Sequence, residues 1–274
     1  MNRLLSTLLL TAAIAMLAGL ASAEAPAVKR TLEGAISAAE TGSTLAEHDM
    51  LRLTVRQEET ASDGTTAVRD LTAVIHGGRL ENIRVELEGD INLVLNNGTG
   101  WAMMQGKLDT RPQTPRMAAG TIRQTVFPLL LPFPLRMDGV VLGDAVTEDT
   151  FDGTPVWVVE ANFEPEFFAA PSMVTTWKIF ISRETSLVLG AEYQPAAEFR
   201  PVIDEGIRYR VLKRGTVDGL NIPAQILLDG IDLNGVENGH VRVTKIETTT
   251  AGPLDLALFV HPDEMERMDA GDVF

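Results

Sequence analysis

The sequence predicts a mainly β chain with a few helices, on three observations. Apolar and polar residues alternate from residue 51 onward, as in Leu51, Leu53 and Val55 against Arg52, Thr54 and Arg56, and in Ile83, Val85 and Leu87 against Arg84, Glu86 and Glu88. A period of two is that of antiparallel strands with one face in water. Turn dipeptides separate these runs at short intervals, at Asp63-Gly64, Gly77-Gly78, Gly89-Asp90 and Asn97-Gly98, the pattern of a β-meander. Helical spacing, by contrast, is confined to two short stretches near residues 31–41 and 115–127.

Residues 1–23 hold Arg3, an apolar run over 4–20 and Ala21-Ser22-Ala23, the pattern of a secretory signal peptide cleaved after Ala23. No cysteine follows the run, which excludes lipid attachment there. Residues 24–274 are then the exported chain. No linker, low-complexity run or repeat divides it, so one domain is expected. No later stretch approaches the roughly 18 consecutive apolar residues of a membrane helix, and the chain reads as soluble.

The first helix is expected from Thr31 as cap, with Leu32, Ala35, Ile36 and Ala39 on one face and Gly42 as its end. The meander follows, and residues 101–108 close it. Thr114 as N-cap and Pro115 at the first helical position start a second helix, with Ala118, Ile122 and Val126 along one face. That helix runs into Val126 to Leu135, V-F-P-L-L-L-P-F-P-L, which has no charge and three prolines. Phe127, Leu131 and Phe133 each precede a proline, so the stretch is not expected to be one regular helix, and Pro128 should end or bend it. Its large apolar side chains would cost about 10 to 20 kcal/mol if left in water. A sheet face, an apolar ligand or a partner surface must cover them. Strands return over 139–146, 155–164, 174–182, 187–194, 206–213, 220–229 and 239–249, with hairpin turns at Asp152-Gly153, residues 183–186, Asp218-Gly219 and Asn238-Gly239. The tail from His261 is acidic and is expected to be irregular.

The chain has no cysteine, which removes disulfides, thiolate metal sites and cysteine nucleophiles together. Removing Arg3 with the leader takes the formal net charge from −15 to −16. Nucleic acid and anionic lipid head groups are poor partners for a surface of that charge. There is no G-x-S-x-G, Walker A loop, G-x-G-x-x-G or H-E-x-x-H. His48, His76, His240 and His261 lie far apart, without metal-ligand spacing, and read as surface histidines. Asp152-Gly153-Thr154 reads as a turn rather than a protease motif, Asp232 to Glu237 lacks calcium-loop spacing, and Asn97-Gly98-Thr99 reads as a hairpin rather than a glycan acceptor. No cofactor or metal is expected.

What remains is apolar and aromatic: Trp101, Met103, Trp157, Trp177, Phe180 and Tyr193 on strands, Ile122, Val126, Phe127, Leu130, Leu131 and Phe133 on the helix and its Pro-broken extension, and Phe163 and Phe167 beside a second Pro-rich excursion at Phe163-Glu-Pro-Glu-Phe167-Phe168. Ordinary core packing explains such residues; so does the wall and lid of an apolar pocket.

Gly98-Thr-Gly-Trp101, Trp177-Lys-Ile-Phe-Ile-Ser-Arg-Glu-Thr185, residues 208–223 ending in Gly219-Leu-Asn-Ile-Pro223, and Leu258-Phe259 before Pro262 together resemble the periplasmic lipoprotein-carrier superfamily. This LolA/LolB-like group also includes outer-membrane lipoprotein-sorting proteins and the lipid-sensing domain of RseB-type regulators. The resemblance implies a strongly curved, unclosed antiparallel half-barrel whose concave apolar face is covered by helices and holds acyl chains, with residues 114–135 in the lid. It implies a non-catalytic periplasmic carrier or sensor of lipids or lipidated proteins, working with an inner- or outer-membrane delivery partner. Two alternatives are a hydrolase using carboxylates such as Asp204 and Glu205 beside an apolar cleft, although strand neighbours point to opposite faces, and an outer-membrane β-barrel ending at Phe274.

Overall fold

The computed structural model describes residues 25–269, so the expected signal peptide at 1–23 and the chain end at 270–274 lie outside the described residues. Thirteen strands form one sheet: β1 (Met50–Thr60), β2 (Thr66–Ile75), β3 (Ile83–Leu87), β4 (Ile91–Asn96), β5 (Thr99–Met104), β6 (Lys107–Leu108), β7 (Val140–Phe151), β8 (Thr154–Phe163), β9 (Trp177–Ser182), β10 (Val188–Tyr193), β11 (Gly206–Val217), β12 (Leu220–Ile231) and β13 (Glu237–Gly252). The spatial order is β6-β5-β4-β3-β2-β1-β13-β12-β11-β10-β9-β8-β7, and every pairing is antiparallel. The first meander runs outward from β1 to one edge. The second starts at the opposite edge and works inward until β13 zips onto β1. The sheet is an unclosed half-barrel, as expected. Its edges β6 and β7 do not pair, so it is not the outer-membrane barrel entertained above, because an open edge in lipid would leave backbone groups unsatisfied.

This order forces the β6–β7 connection to cross a whole sheet face, and α2 (Thr114–Leu130) makes the crossing. α1 (Ala25–Ala39) packs on the same face against β7 and β12. It begins earlier than the expected Thr31, but Leu32, Ala35, Ile36 and Ala39 are buried as their spacing requires. Pro128 does not end α2, which continues to Leu130. A proline two residues from the last helical position breaks a single terminal hydrogen bond, which packing of the last turn can outweigh. Residues 133–136 then form a separate 3₁₀ turn.

Most expected turns are present. Asn97-Gly98, Asp152-Gly153 and Asp218-Gly219 each hold two successive positive φ angles, the type I′ geometry that matches strand twist. Two differ. Residues 101–108 are split by a turn at Gln105-Gly106, which yields β6. Asn238-Gly239 lies inside β13, and the β12–β13 turn is at 232–236, where Asp232 Oδ1 accepts from the amides of Asn234 and Val236. That carboxylate is consumed by its own turn.

The two sheet faces carry separate cores. The concave face holds Leu51, Leu53, Val55, Leu71, Ala73, Ile75, Ile83 and Val85 with the buried sides of both helices. The convex face holds Val74, Val94 and Trp101 under Phe259, and Phe151, Val156, Val158 and Phe180 farther along. The chain end is more ordered than expected: His261 meets Trp101 edge-on at 5.6 Å, and α3 (Pro262–Asp269) follows.

Candidate functional site

The concave face and α2 form the candidate site. Phe127 seats in an aromatic nest, with ring centroids 5.4 Å from Phe163, 5.8 Å from Phe168 and 5.3 Å from Trp177. Trp177 stacks on Tyr193 at 4.5 Å, and its Nε1 donates to the Met173 carbonyl. Phe127, Leu129, Leu130, Leu131, Phe133 and Leu135 are all at most 3% exposed, so the apolar stretch is covered by the protein's own sheet. Two glycines permit the close approach. A Cβ on Gly100 of β5 would lie 2.2 Å from the Pro115 carbonyl oxygen, and one on Gly120 of α2 would lie 2.3 Å from the Ala169 amide nitrogen. On its outer side α2 is pinned by Arg123, which bonds Glu81 at 3.2 Å and lies over the Phe167 ring at 5.0 Å.

The structure brings together Ile122, Val126, Phe127, Leu130, Leu131, Phe133, Phe163, Phe167, Trp177 and Tyr193 in the concave core, with Trp157 at its margin. Trp101, Met103 and Phe180 lie on the convex face instead. The reason is the strand period itself. In β5 it is Gly100 and Ala102 that face α2, and in β9 it is Trp177, Ile179 and Ile181 that face inward, which turns their neighbours outward.

Under α2 lies a cavity of about 320 Å³, at the lower end of small-ligand pockets, between that helix and strands β1, β2, β3, β11, β12 and β13. Its floor is part apolar (Leu71, Leu87, Ile226, Leu228) and part polar (Gln57, Arg69, Arg242, Thr244), while Thr121, Gln124, Thr125, Pro128 and Leu129 of α2 roof it and Tyr209 closes one side. The register explains this composition. Inward positions of β1 change from Leu51, Leu53 and Val55 to Gln57 and Glu59, those of β2 from Ile75, Ala73 and Leu71 to Arg69, and those of β13 from Ile246 to Thr244 and Arg242. Gln57 pairs with both Arg69 and Thr244, so the change falls at one level across all three strands. Burial pushes the Tyr193 and Tyr209 phenols up.

Beside the cavity, His240 sits between two carboxylates, its Nδ1 2.6 Å from Glu205 Oε1 and its Nε2 2.8 Å from Glu59 Oε1. Burial alone would lower the imidazole pKa, but hydrogen bonds to Glu59 and Glu205 outweigh it, and the pKa is raised. For Glu59, burial opposes ionisation while the His240 bond and the Arg242 charge favour it more strongly, so its pKa is lowered. The sequence contains no signal for this cluster, since its members are 35 and 181 residues apart. Both ring nitrogens are occupied by carboxylates, which leaves none to activate a nucleophile. Asp204 takes no part. Among the described residues no group of three or more His, Cys, Asp or Glu side chains could hold a metal ion, and no helix is long and apolar enough to cross a membrane.

No family model and no curated protein matches the chain in sequence. Solved structures do match in fold. A LolA superfamily protein from Nitrosomonas europaea superposes with a TM-score of 0.58 at 12% identity, over 85% of this chain and 97% of its own. A DUF1329 family protein from Desulfovibrio piger gives 0.57 at 12% identity, over 86% and 98%. A domain assigned as an outer membrane lipoprotein-sorting protein, from Vibrio parahaemolyticus, gives 0.53 at 7% identity, over 88% and 98%. At these identities the likeness establishes a shared fold, the LolA-type half-barrel.

Proposed function

We propose that this protein is a non-catalytic periplasmic carrier or sensor that shelters a lipid, or the acyl chains of a lipoprotein, on the concave face of its half-barrel, with residues 24–274 acting as one binding domain after cleavage at Ala23. One observation carries the reading: the apolar concave face of an open sheet is covered by a helix that joins the two unpaired edges and is only laid across the face between them. A purely structural core would be served as well by a closed barrel; an open sheet with a helical cover has a cover that can lift without breaking a strand ladder. In this state Phe127 to Leu135 occupy the concave face, so the ligand-free lid fills the place that acyl chains would take. Transfer to or from a membrane-bound delivery partner is the corresponding use of the open state. The LolA-type fold of the compared structures supports the same reading.

The test is to express the full chain with its leader in a bacterial periplasm, purify it without detergent, and identify bound species by native mass spectrometry and solvent extraction. Co-purifying lipid, displaced by a fluorescent fatty acid, is the expected result. A protein that carries no lipid and binds no fluorescent fatty acid after delipidation would overturn the proposal.

A further inference from the structure

The cavity under α2 is chemically more specific than a shelter for acyl chains needs to be. Resting on the carrier reading, we propose that it selects an anionic amphiphile, whose carboxylate or phosphate head lies between Arg69 and Arg242 while the adjoining chain runs over Leu71, Leu129 and Leu228.

Both guanidinium side chains line the cavity, and no Asp or Glu lines it with them. The setting makes this notable, because the chain as a whole carries a net charge of −15 and most other arginines are paired with carboxylates, as Arg52, Arg56, Arg123, Arg183, Arg208 and Arg210 are. Among the described residues neither the Arg69 nor the Arg242 side chain makes a hydrogen bond or salt bridge, and Arg242 Nε is buried without a partner. Glu59 is a carboxylate near both arginines. It stands opposite Arg242 in the β1–β13 register; burial opposes its ionisation, but the hydrogen bond from His240, ahead of the Arg242 and Arg69 charges, lowers its pKa. Glu59 thus shares its charge between His240 and the two arginines and forms no direct ion pair with either guanidinium. Gln57, Thr244 and Gln124 add neutral polar groups to the same wall. Arg242 is half-buried and Arg69 is exposed where it lines the cavity, and guanidinium groups without a carboxylate partner favour an oxyanion there. The neighbouring leucines favour a chain attached to that anion over a free one. A low-dielectric wall focuses the local positive potential, which is why a whole-chain charge that repels anionic surfaces does not decide preference inside the cavity.

Delipidated protein would be titrated with a fluorescent long-chain fatty acid, with its methyl ester, with a lysophosphatidic acid as competitor, and with inorganic phosphate as competitor. In the wild type the acid should bind about tenfold or more tightly than the ester, the size of one charge-assisted hydrogen-bonded contact. Lysophosphatidic acid should compete and inorganic phosphate should not. Arg69→Gln and Arg242→Gln should bring acid and ester to within about twofold of each other while leaving the ester unchanged, whereas Arg79→Gln, in the groove beside the β2–β3 turn, should keep the wild-type preference. Gln57→Glu supplies an independent variant that should weaken the acid and spare the ester. Equal binding of acid and ester by wild type would overturn this inference and leave the carrier reading standing. Binding of neither would remove both. Displacement by inorganic phosphate as potent as by the acid would make it a free-anion site and overturn the amphiphile.

Discussion

Gly120→Ala separates a lid from a permanent core element by the sign of its effect on affinity. Gly120 lies where α2 crosses the segment after β8, and the added methyl would meet the Ala169 amide nitrogen at 2.3 Å, the Phe168 carbonyl carbon at 2.7 Å and Ala169 Cα at 2.8 Å. These are backbone atoms, which cannot rotate away as a side chain would, so α2 or the segment must move by about an ångström to reach ordinary contact. Overpacking costs about 1 to 3 kcal/mol, and three backbone atoms nearer than 3.0 Å put this one in the upper half, about 2 to 3 kcal/mol; replacing a mid-helix glycine by alanine returns about 1 kcal/mol. The closed state should therefore lose about 1 to 2 kcal/mol, read as a fall in melting temperature of about 2 to 8 °C in lipid-free protein. If α2 is a lid, the same loss raises the population of the open form, and affinity for a fluorescent fatty acid should rise about 5- to 30-fold, because apparent affinity scales with the binding-competent fraction. A permanent core element would lose stability and gain no affinity. Thermal unfolding and a binding titration on the same delipidated sample decide it. A stability loss with unchanged or weaker affinity would refute the lid, and an unchanged melting temperature would refute the clash itself.

Leu130→Ala and Phe133→Ala remove side chains that are 0% and 3% exposed, but should destabilise lipid-free protein by less than the roughly 2 to 5 kcal/mol of a core truncation, since loss of lid contacts cannot exceed the free energy of lifting the lid; Leu53→Ala, on the sheet floor, should show the full loss in denaturant titrations. The His240 cluster should make stability pH-dependent. His240's pKa is raised above its ordinary 6.5, so its contribution is complete below 6.5 and fades as pH rises through the raised value, while Glu59, lowered from 4.5, contributes above 4.5 and loses its contribution as pH falls through its lowered value. The net contribution is greatest between those limits, and His240→Gln should flatten the decline in melting temperature above pH 6.5. A variant whose melting temperature falls with pH as steeply as the wild type would contradict this. Chelator and reductant should leave the melting temperature of the wild type unchanged; a drop of several degrees with chelator would reveal a metal that the residue pattern does not provide for.

Alternation and turn chemistry determined the strands of this protein in the sequence alone, because both are local: the period along Leu51, Leu53 and Val55 and the positive φ demanded at Asn97-Gly98 need no knowledge of distant residues. The helical face of Leu32, Ala35, Ile36 and Ala39 was legible for the same reason. Where a turn was made by residues with weaker preferences, at Gln105-Gly106, the sequence reading ran two strands together. Which face each strand turned to the helices was decided only by the tertiary structure, since a period of two distinguishes two faces but does not say which one α2 will cover. Trp101, Met103 and Phe180 therefore fell on the convex side although their composition suits a cavity wall. The extent of α2 past Pro128 was likewise decided by packing of its last turn on the aromatic nest. The polar level at Arg69, Gln57, Thr244 and Arg242, and the bracketing of His240 by Glu59 and Glu205, depend on the pairing of β13 with β1. That pairing joins strands from opposite ends of the chain, and only the completed sheet sets the polar level side by side and brings His240 within hydrogen-bond distance of Glu59 and Glu205.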